Sequence, residues 1–300
     1  MHDEALISRL RDELDDGGLR GSFLVRDLHT RREIGIDPHL KFPIASLVKV
    51  PLAAATLEQI RRGELDGSTQ IDIQPGRITT SGPTGLTKFR HSARVAIDDL
   101  LYLMLAISDG VAADTLFDLT SPAEVTMMTH DWGVRGINVR HPVGDLSDTP
   151  AERFAQTEVH LAHSLAISAG TAGQGHSIPQ LDISRASSGS ALAFADFLQA
   201  LWTPSKIADS VSGRVRELMG ENLVRQRLAP DFTSDATKWS SKTGTLLNLR
   251  HEVGVVEHAD GQTFAVAALT ESRVPAAIQP EAEILMARVA RTLRDHLRAN

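Results

Sequence analysis

Apart from Ile71-Asp72-Ile73, which could form a short strand, strand-like segments in this 300-residue chain lie at its two ends. Residues 21–28 and 33–36 read as two short strands, and 238–244, 251–257 and 263–269 as three more. Between them lies a long stretch dominated by helical periodicity, with no alternation of strand and helix. Parallel sheets need crossover helices between successive strands. Strands held at both ends of a chain instead make one antiparallel sheet built from both termini. The chain therefore reads as α+β: a five-stranded antiparallel sheet from residues 1–45 and 235–300, flanked by terminal helices, and a central all-helical subdomain over 46–234. The terminal helices are expected over 3–16 and 281–297, where apolar residues recur at helical spacing. A cleft between two such bodies is a common place for an active site.

Composition narrows the function classes. A net charge of −7, a sequence pI near 5.9 and scattered Lys and Arg argue against nucleic acid as a partner. The absence of cysteine removes thiol nucleophiles, disulfides and thiolate metal sites. No apolar run approaches the roughly 18 residues of a membrane span. The acidic start, Met1-His2-Asp3-Glu4, lacks the basic and apolar pattern of a signal peptide. As given, the chain reads as cytoplasmic; a mature form trimmed of its signal would read the same.

The helical middle opens on Phe42-Pro43-Ile44-Ala45-Ser46-Leu47-Val48-Lys49. Residues 46–62 are apolar on most sides, the pattern of a buried helix. Ser46 and Lys49, three apart, share one face of its first turn. Burial pushes an amine toward its neutral form, and a neutral amine beside a hydroxyl is a base beside a nucleophile. Alone, the pair reads first as a helix cap and a surface lysine. Further on, Ser108-Asp109-Gly110 interrupts two apolar helices, and Lys242-Thr243-Gly244 reads as strand followed by glycine.

Ser-x-x-Lys, Ser-Asp-Asn and Lys-Thr-Gly together are the signature of penicillin-binding proteins and class A β-lactamases. All three occur here in that order, the second with Gly110 in place of Asn. Phe42-Pro43 before the serine, Ser108 to Asp114, and the strand Arg250 to Val256 extend the resemblance to class A β-lactamases over about residues 5–132 and 238–297. By that resemblance Ser46 is the nucleophile and Lys49 takes its proton. Ser108 relays a proton to the leaving nitrogen, and Lys242 supports Ser108 and attracts a substrate carboxylate. Thr243 and Thr245 donate to that carboxylate, with Gly244 between them. Backbone N–H groups of Ser46 and Thr245 form the oxyanion hole. Arg250 either adds positive charge there or is an ordinary exposed strand residue. Gly110 loosens the hold that the family's Asn has on lysine and substrate.

The chain departs from the resemblance where release of the acyl group is concerned. The family's Glu-x-x-Leu-Asn segment, whose Glu activates the deacylating water, has no match. His141, Asp145 and Glu152 are the substitutes within reach, and residues 145–189 look like an insertion. Deacylation is expected to be weak, since general-base help is typically worth 10²–10⁴-fold. The resemblance thus implies a serine hydrolase that forms an acyl-enzyme with β-lactams or related amides or esters. A penicillin-binding sensor without turnover, and an esterase or D,D-peptidase-like enzyme with another natural substrate, stay open. The expected partner is a small molecule (a β-lactam, an ester or a D-amino-acid peptide). No cofactor and no metal are expected. His160 and His163 share a helix face but lack a third ligand, and read as core or surface residues. No Gly-x-Ser-x-Gly elbow and no phosphate-binding loop occur.

Overall fold

The computed structural model describes residues 2–75, 84–168 and 174–299. Helix α1 (His2–Asp16) leads into β1 (Leu19–Asp27), β2 (Glu33–Ile36) and the short β3 (Lys41–Pro43). A 3-10 turn over Ala45–Val48 runs into α2 (Lys49–Arg61). The middle of the chain holds β4 (Gln70–Ile73), β5 (Ala93–Ala96), α3 (Ile97–Ala106), α4 (Gly110–Phe117), α5 (Pro122–Asp131), α6 (Val159–Ser168), β6 (Ser188–Ser190), α7 (Ala191–Trp202), α8 (Asp209–Gly220) and the single turn α9 (Ala229–Phe232). The chain closes with β7 (Thr237–Leu246), β8 (Leu249–His258), β9 (Thr263–Ser272) and α10 (Pro280–Ala299).

The five-stranded antiparallel sheet has the order β2-β1-β9-β8-β7, with both ends of the chain contributing. β1 pairs with β9 from Leu19↔Ser272 to Asp27↔Phe264. Both faces are covered, so β1, β7, β8 and β9 are buried at nearly every position, polar residues included. Side chains alternate between the faces. Phe23, Val25, Phe264, Val266 and Ala268 pack with Leu10, Leu14, Met286, Val289 and Leu293 of the terminal helices. Leu24, Val253, Val255, Ala265, Ala267 and Leu269 join the core made by the inner helices. α2 lies at the centre of that core, with eleven consecutive residues from Lys49 to Gln59 buried.

The middle region departs in detail from an all-helical body. β4 pairs with β5, and β6 pairs with β3 from the N-terminal part. The helix expected over 152–168 is broken: Pro150–Arg153 and Gln156–Glu158 are 3-10 turns, Phe154 and Ala155 are extended, and only Val159–Ser168 is α-helical. Pro150 begins the first turn and Thr149 caps it, accepting from Ala151 N at 3.2 Å. Of the loop expected over 169–190, residues 169–173 lie outside the described residues; the rest contains the 3-10 turn Pro179–Leu181 and β6. Most of the loop expected over 78–85 likewise lies outside them. α5 forms as its sequence dictates, Ser121 and Glu124 making a reciprocal capping box. Among the described residues no helix is long and apolar enough to cross a membrane.

Candidate active site

Ser46 does not cap a helix. It sits inside the 3-10 turn, half-buried, after Ala45 in the left-handed region at φ 47°. A non-glycine residue held there is strained and persists only where its surroundings fix it. Two contacts do so. Leu47 N donates to Ile44 O at 3.0 Å. His251, buried in β8, accepts from Thr270 N at Nδ1 (3.1 Å), so its Nε2–H donates to Pro43 O (2.9 Å). Burial lowers the His251 pKa to about 4, so this clamp is neutral. Gly244 of β7 lies so close that a Cβ there would stand 2.8 Å from Ile44 O and 3.1 Å from Leu47 Cγ.

Lys49, Ser108 and Lys242 converge in the interior. Lys49 is 1 % exposed and Lys242 0 %. Lys49 Nζ donates to Ser108 O (2.6 Å) and Ser108 Oγ (3.1 Å). Lys242 Nζ donates to the same hydroxyl at 3.0 Å and to Thr243 O at 2.9 Å. Burial pulls the Lys49 pKa down to about 8, against the opposing pull of Asp109 and Asp114. Burial also holds Lys242 well below the ordinary lysine value, and Lys49 and Arg227 add repulsion. Ser108 itself is left-handed at φ 59°. Asp109 holds the break: its Oδ1 accepts from Val111 N and Ala112 N at the start of α4, its Oδ2 from Leu86 N. Gly110, the first residue of α4, is buried and faces the same cleft.

The strand residues divide. Thr243 Oγ1 donates to Val224 O at 2.8 Å, so its proton is engaged within the protein. Thr245 Oγ1 accepts from Arg227 Nη2 at 2.8 Å, which leaves its hydroxyl proton for a ligand. Arg227 also donates to Gly244 O (3.1 Å) and His251 O (2.9 Å) and pairs with Glu283 of α10 at 3.0 Å. Arg250 is not an exposed strand arginine. It is 4 % exposed, donates to Leu247 O, Leu249 O and Ala277 O, and lines the cleft. Burial and nearby Arg227 lower its pKa to about 10, so it keeps its charge at neutral pH.

The cleft holds about 370 Å³, and Ser46, Lys49, Ser108, Thr243, Thr245 and Arg250 all line it. Its far wall comes from the segment read as an insertion: Leu146, Thr149, Ala151, Glu152, Val159 and His163. Of the three proposed substitutes for the missing glutamate, only Glu152 reaches the cleft. It is exposed, and its Oε2 accepts from Thr149 Oγ1 at 2.6 Å. His141 is turned away: Nε2 accepts from Ser187 N (3.0 Å), so Nδ1 donates to Pro142 O (2.8 Å). Asp145 is exposed and does not line the cleft. His160 points outward, but His163, read as core or surface, is buried at 3 % exposure against the cleft. Among the described residues no three His, Asp or Glu side chains converge as metal ligands.

A model of the beta-lactamase enzyme family matches residues 5–297 of the sequence. The chain belongs to that family. It is similar at 62 % identity to the beta-lactamase regulatory protein BlaB of Streptomyces cacaoi, over 99 % of both chains. A third of it is 29 % identical to the extended-spectrum beta-lactamase PER-1 of Pseudomonas aeruginosa. Its fold is shared with a mutant of PBP-A solved as an acyl-enzyme complex with penicillin G (TM-score 0.76, 15 % identity, 99 % of this chain and 97 % of that one). A beta-lactamase from Sphaerobacter thermophilus superposes equally well (TM-score 0.76, 19 % identity, 99 % and 97 % coverage). Class A beta-lactamase architecture is thus shared across the whole chain.

Within that architecture, two residues that sequence reasoning passed over shape the site. Arg227 had no motif around it; its role arises only because β7 and β8 bring Gly244, Thr245 and His251 to its guanidinium. Asp114 lay inside a quoted motif without a role of its own. Its carboxylate accepts from Val143 N (2.7 Å) and Gly144 N (2.8 Å), fixing the loop that floors the cleft.

Proposed function

We propose that this chain is a β-lactam-binding acyl-serine protein that captures its ligand on Ser46 and releases it slowly. The carrying observation is the buried Ser108 hydroxyl, held between Lys49 and Lys242 in the cleft that Ser46 lines. Neutral Lys49 takes the Ser46 proton as Oγ attacks the lactam carbonyl. Backbone N–H groups of Ser46 and Thr245 receive the oxyanion. When the C–N bond breaks, Ser108 gives its proton to the leaving nitrogen and is reprotonated from the lysine that took the first. Atoms and charge balance, and the products are an ester on Ser46 and an opened ring.

Release needs an activated water. The carboxylate on the cleft wall, Glu152, is exposed and engaged with Thr149, an arrangement that gives a base little preorganisation. Persistence of the acyl group suits a sensor, in keeping with the regulatory description of the 62 %-identical relative. The presence of Glu152 in the cleft supports a second reading, a β-lactamase or related esterase or peptidase with modest turnover. Intact mass after mixing with benzylpenicillin, alongside hydrolysis of a chromogenic cephalosporin, separates the two. A stable adduct that disappears in Ser46→Ala supports the sensor. Steady turnover lost in Ser46→Ala supports the hydrolase, and neither adduct nor turnover from folded protein overturns the sensor and the β-lactamase and leaves the esterase or peptidase.

A further inference from the structure

The half of the cleft away from Ser108 carries polar groups that the chemistry above does not use. Resting on the acyl-serine reading, the scissile carbonyl lies between Ser46 and Thr245, with its leaving nitrogen toward Ser108 and Lys242. The acyl half then runs along β7 toward Leu246, Leu247 and the β7–β8 turn. Arg250 pairs with Thr245 across the ladder, three residues or about 10 Å along the strand from Lys242. Arg250 donates to Ala277 O after β9 and its charge acts on His163 of α6, and Val159 lines the same cleft. Leu146, Ala151, Leu246 and Leu247 make the rest of this half apolar.

His163 has one sealed nitrogen. Nδ1 is buried without a hydrogen-bond partner, Nε2 is not among such sealed atoms, and the residue lines the cleft. A sealed N–H lacking an acceptor is the costlier orphan, so the favoured tautomer keeps Nδ1 bare and the proton on Nε2. That tautomer makes His163 a donor into the cleft. Burial, with the charge of Arg250, lowers its pKa, so the ring is neutral. Arg250 supplies a full positive charge beside it, its guanidinium tied to three backbone carbonyls and to no carboxylate. Glu152, the acid on this wall, is exposed, so water screens it more than it screens the buried arginine.

We propose that His163 and Arg250 form a recognition site for an anionic group on the acyl half of the ligand, with His163 donating from Nε2. The ligand class is a carboxylate-bearing acyl group, as on an acidic acyl side chain or an acidic peptide stem.

Three penicillins differ at one acyl carbon and test this directly: carbenicillin carries a carboxylate there, benzylpenicillin a hydrogen, ampicillin an ammonium. Second-order rates of adduct formation by intact mass should rank carbenicillin first and ampicillin last, about tenfold or more apart, the size of one charge-assisted hydrogen bond. His163→Leu should shrink the carbenicillin-to-ampicillin ratio about tenfold, while His163→Gln, which keeps a donor, should retain most of it. Equal rates in the wild-type protein, or an unchanged ratio in His163→Leu, would overturn the site while leaving acylation intact. If His163→Leu does not fold, the wild-type ranking and His163→Gln still decide. Adduct with none of the three overturns the acyl-serine reading itself, and this site with it.

Discussion

Lys49 and Lys242 donate to one oxygen, Ser108 Oγ, from 3.1 and 3.0 Å. Burial opposes the Lys49 charge more than Asp109 and Asp114 sustain it, so its deprotonation comes within reach of neutral pH. Acylation should therefore rise with pH through about 8, the Lys49 value, and level off above it. Stability follows the same sign: the unfolded lysine keeps its proton to 10.5 and the folded one loses it near 8, so stability climbs between those values. Adduct-formation rates that stay flat from pH 6 to pH 9.5 would count against Lys49 as the base.

Gly244 keeps β7 against the turn that carries Ser46. A methyl there meets a backbone oxygen, Ile44 O, at 2.8 Å, and backbone yields less readily than a side-chain end. Gly244→Ala should push Thr245 away from Ser46 and slow acylation about 10²-fold or more, the effect of losing an oxyanion donor. Overpacking should cost about 1–3 kcal/mol of stability. Adduct kinetics with a fluorescent penicillin, together with a melting curve, check both effects.

Asp114 presents two oxygens to two amides, Val143 N and Gly144 N. Asp114→Asn replaces one acceptor with a donor, so one amide faces an N–H. We expect a loss of about 1–3 kcal/mol in urea unfolding, because the removed bond leaves a desolvated donor behind. An unchanged midpoint would mean that the loop is held by other contacts.

Glu152 is the residue on which slow release can be tested. A positioned general base is typically worth 10²–10⁴-fold. For an exposed carboxylate engaged by Thr149, Glu152→Gln should change the lifetime of the adduct by less than about tenfold. A lifetime prolonged 100-fold or more would make Glu152 the base and the protein a hydrolase.

The sequence was most legible where a residue's role depends on its neighbours in the chain. Ser46 and Lys49 are three apart, Asp109 and Gly110 follow Ser108, and the sheet announces itself by strand-like segments at both ends of the chain. Roles that depend on distant partners were hidden. Arg227 acts through Gly244, Thr245 and His251, and nothing around it in sequence says so. His163 was visible only as one of a pair on a helix; that helix starts seven residues later than its periodicity implied, because Phe154 and Ala155 are extended. The hydroxyl of Thr243, expected to donate to a ligand, is spent on Val224 O, a partner 19 residues away.

The pairing of β1 with β9 joins segments roughly 240 residues apart, and β7 joins the sheet only through β8 and β9. On the ribosome, Ser46, Lys49 and Ser108 emerge well before Lys242, and β1 has no partner on its β9 side until Thr263–Ser272 is made. Such non-local closure makes folding slow and late. A nascent or truncated chain carries Ser46 without the strand that completes its cleft, so on the proposed acyl-serine reading penicillin labelling should mark finished molecules only. Synthesised in the presence of labelled drug, the protein would time-stamp its own completion.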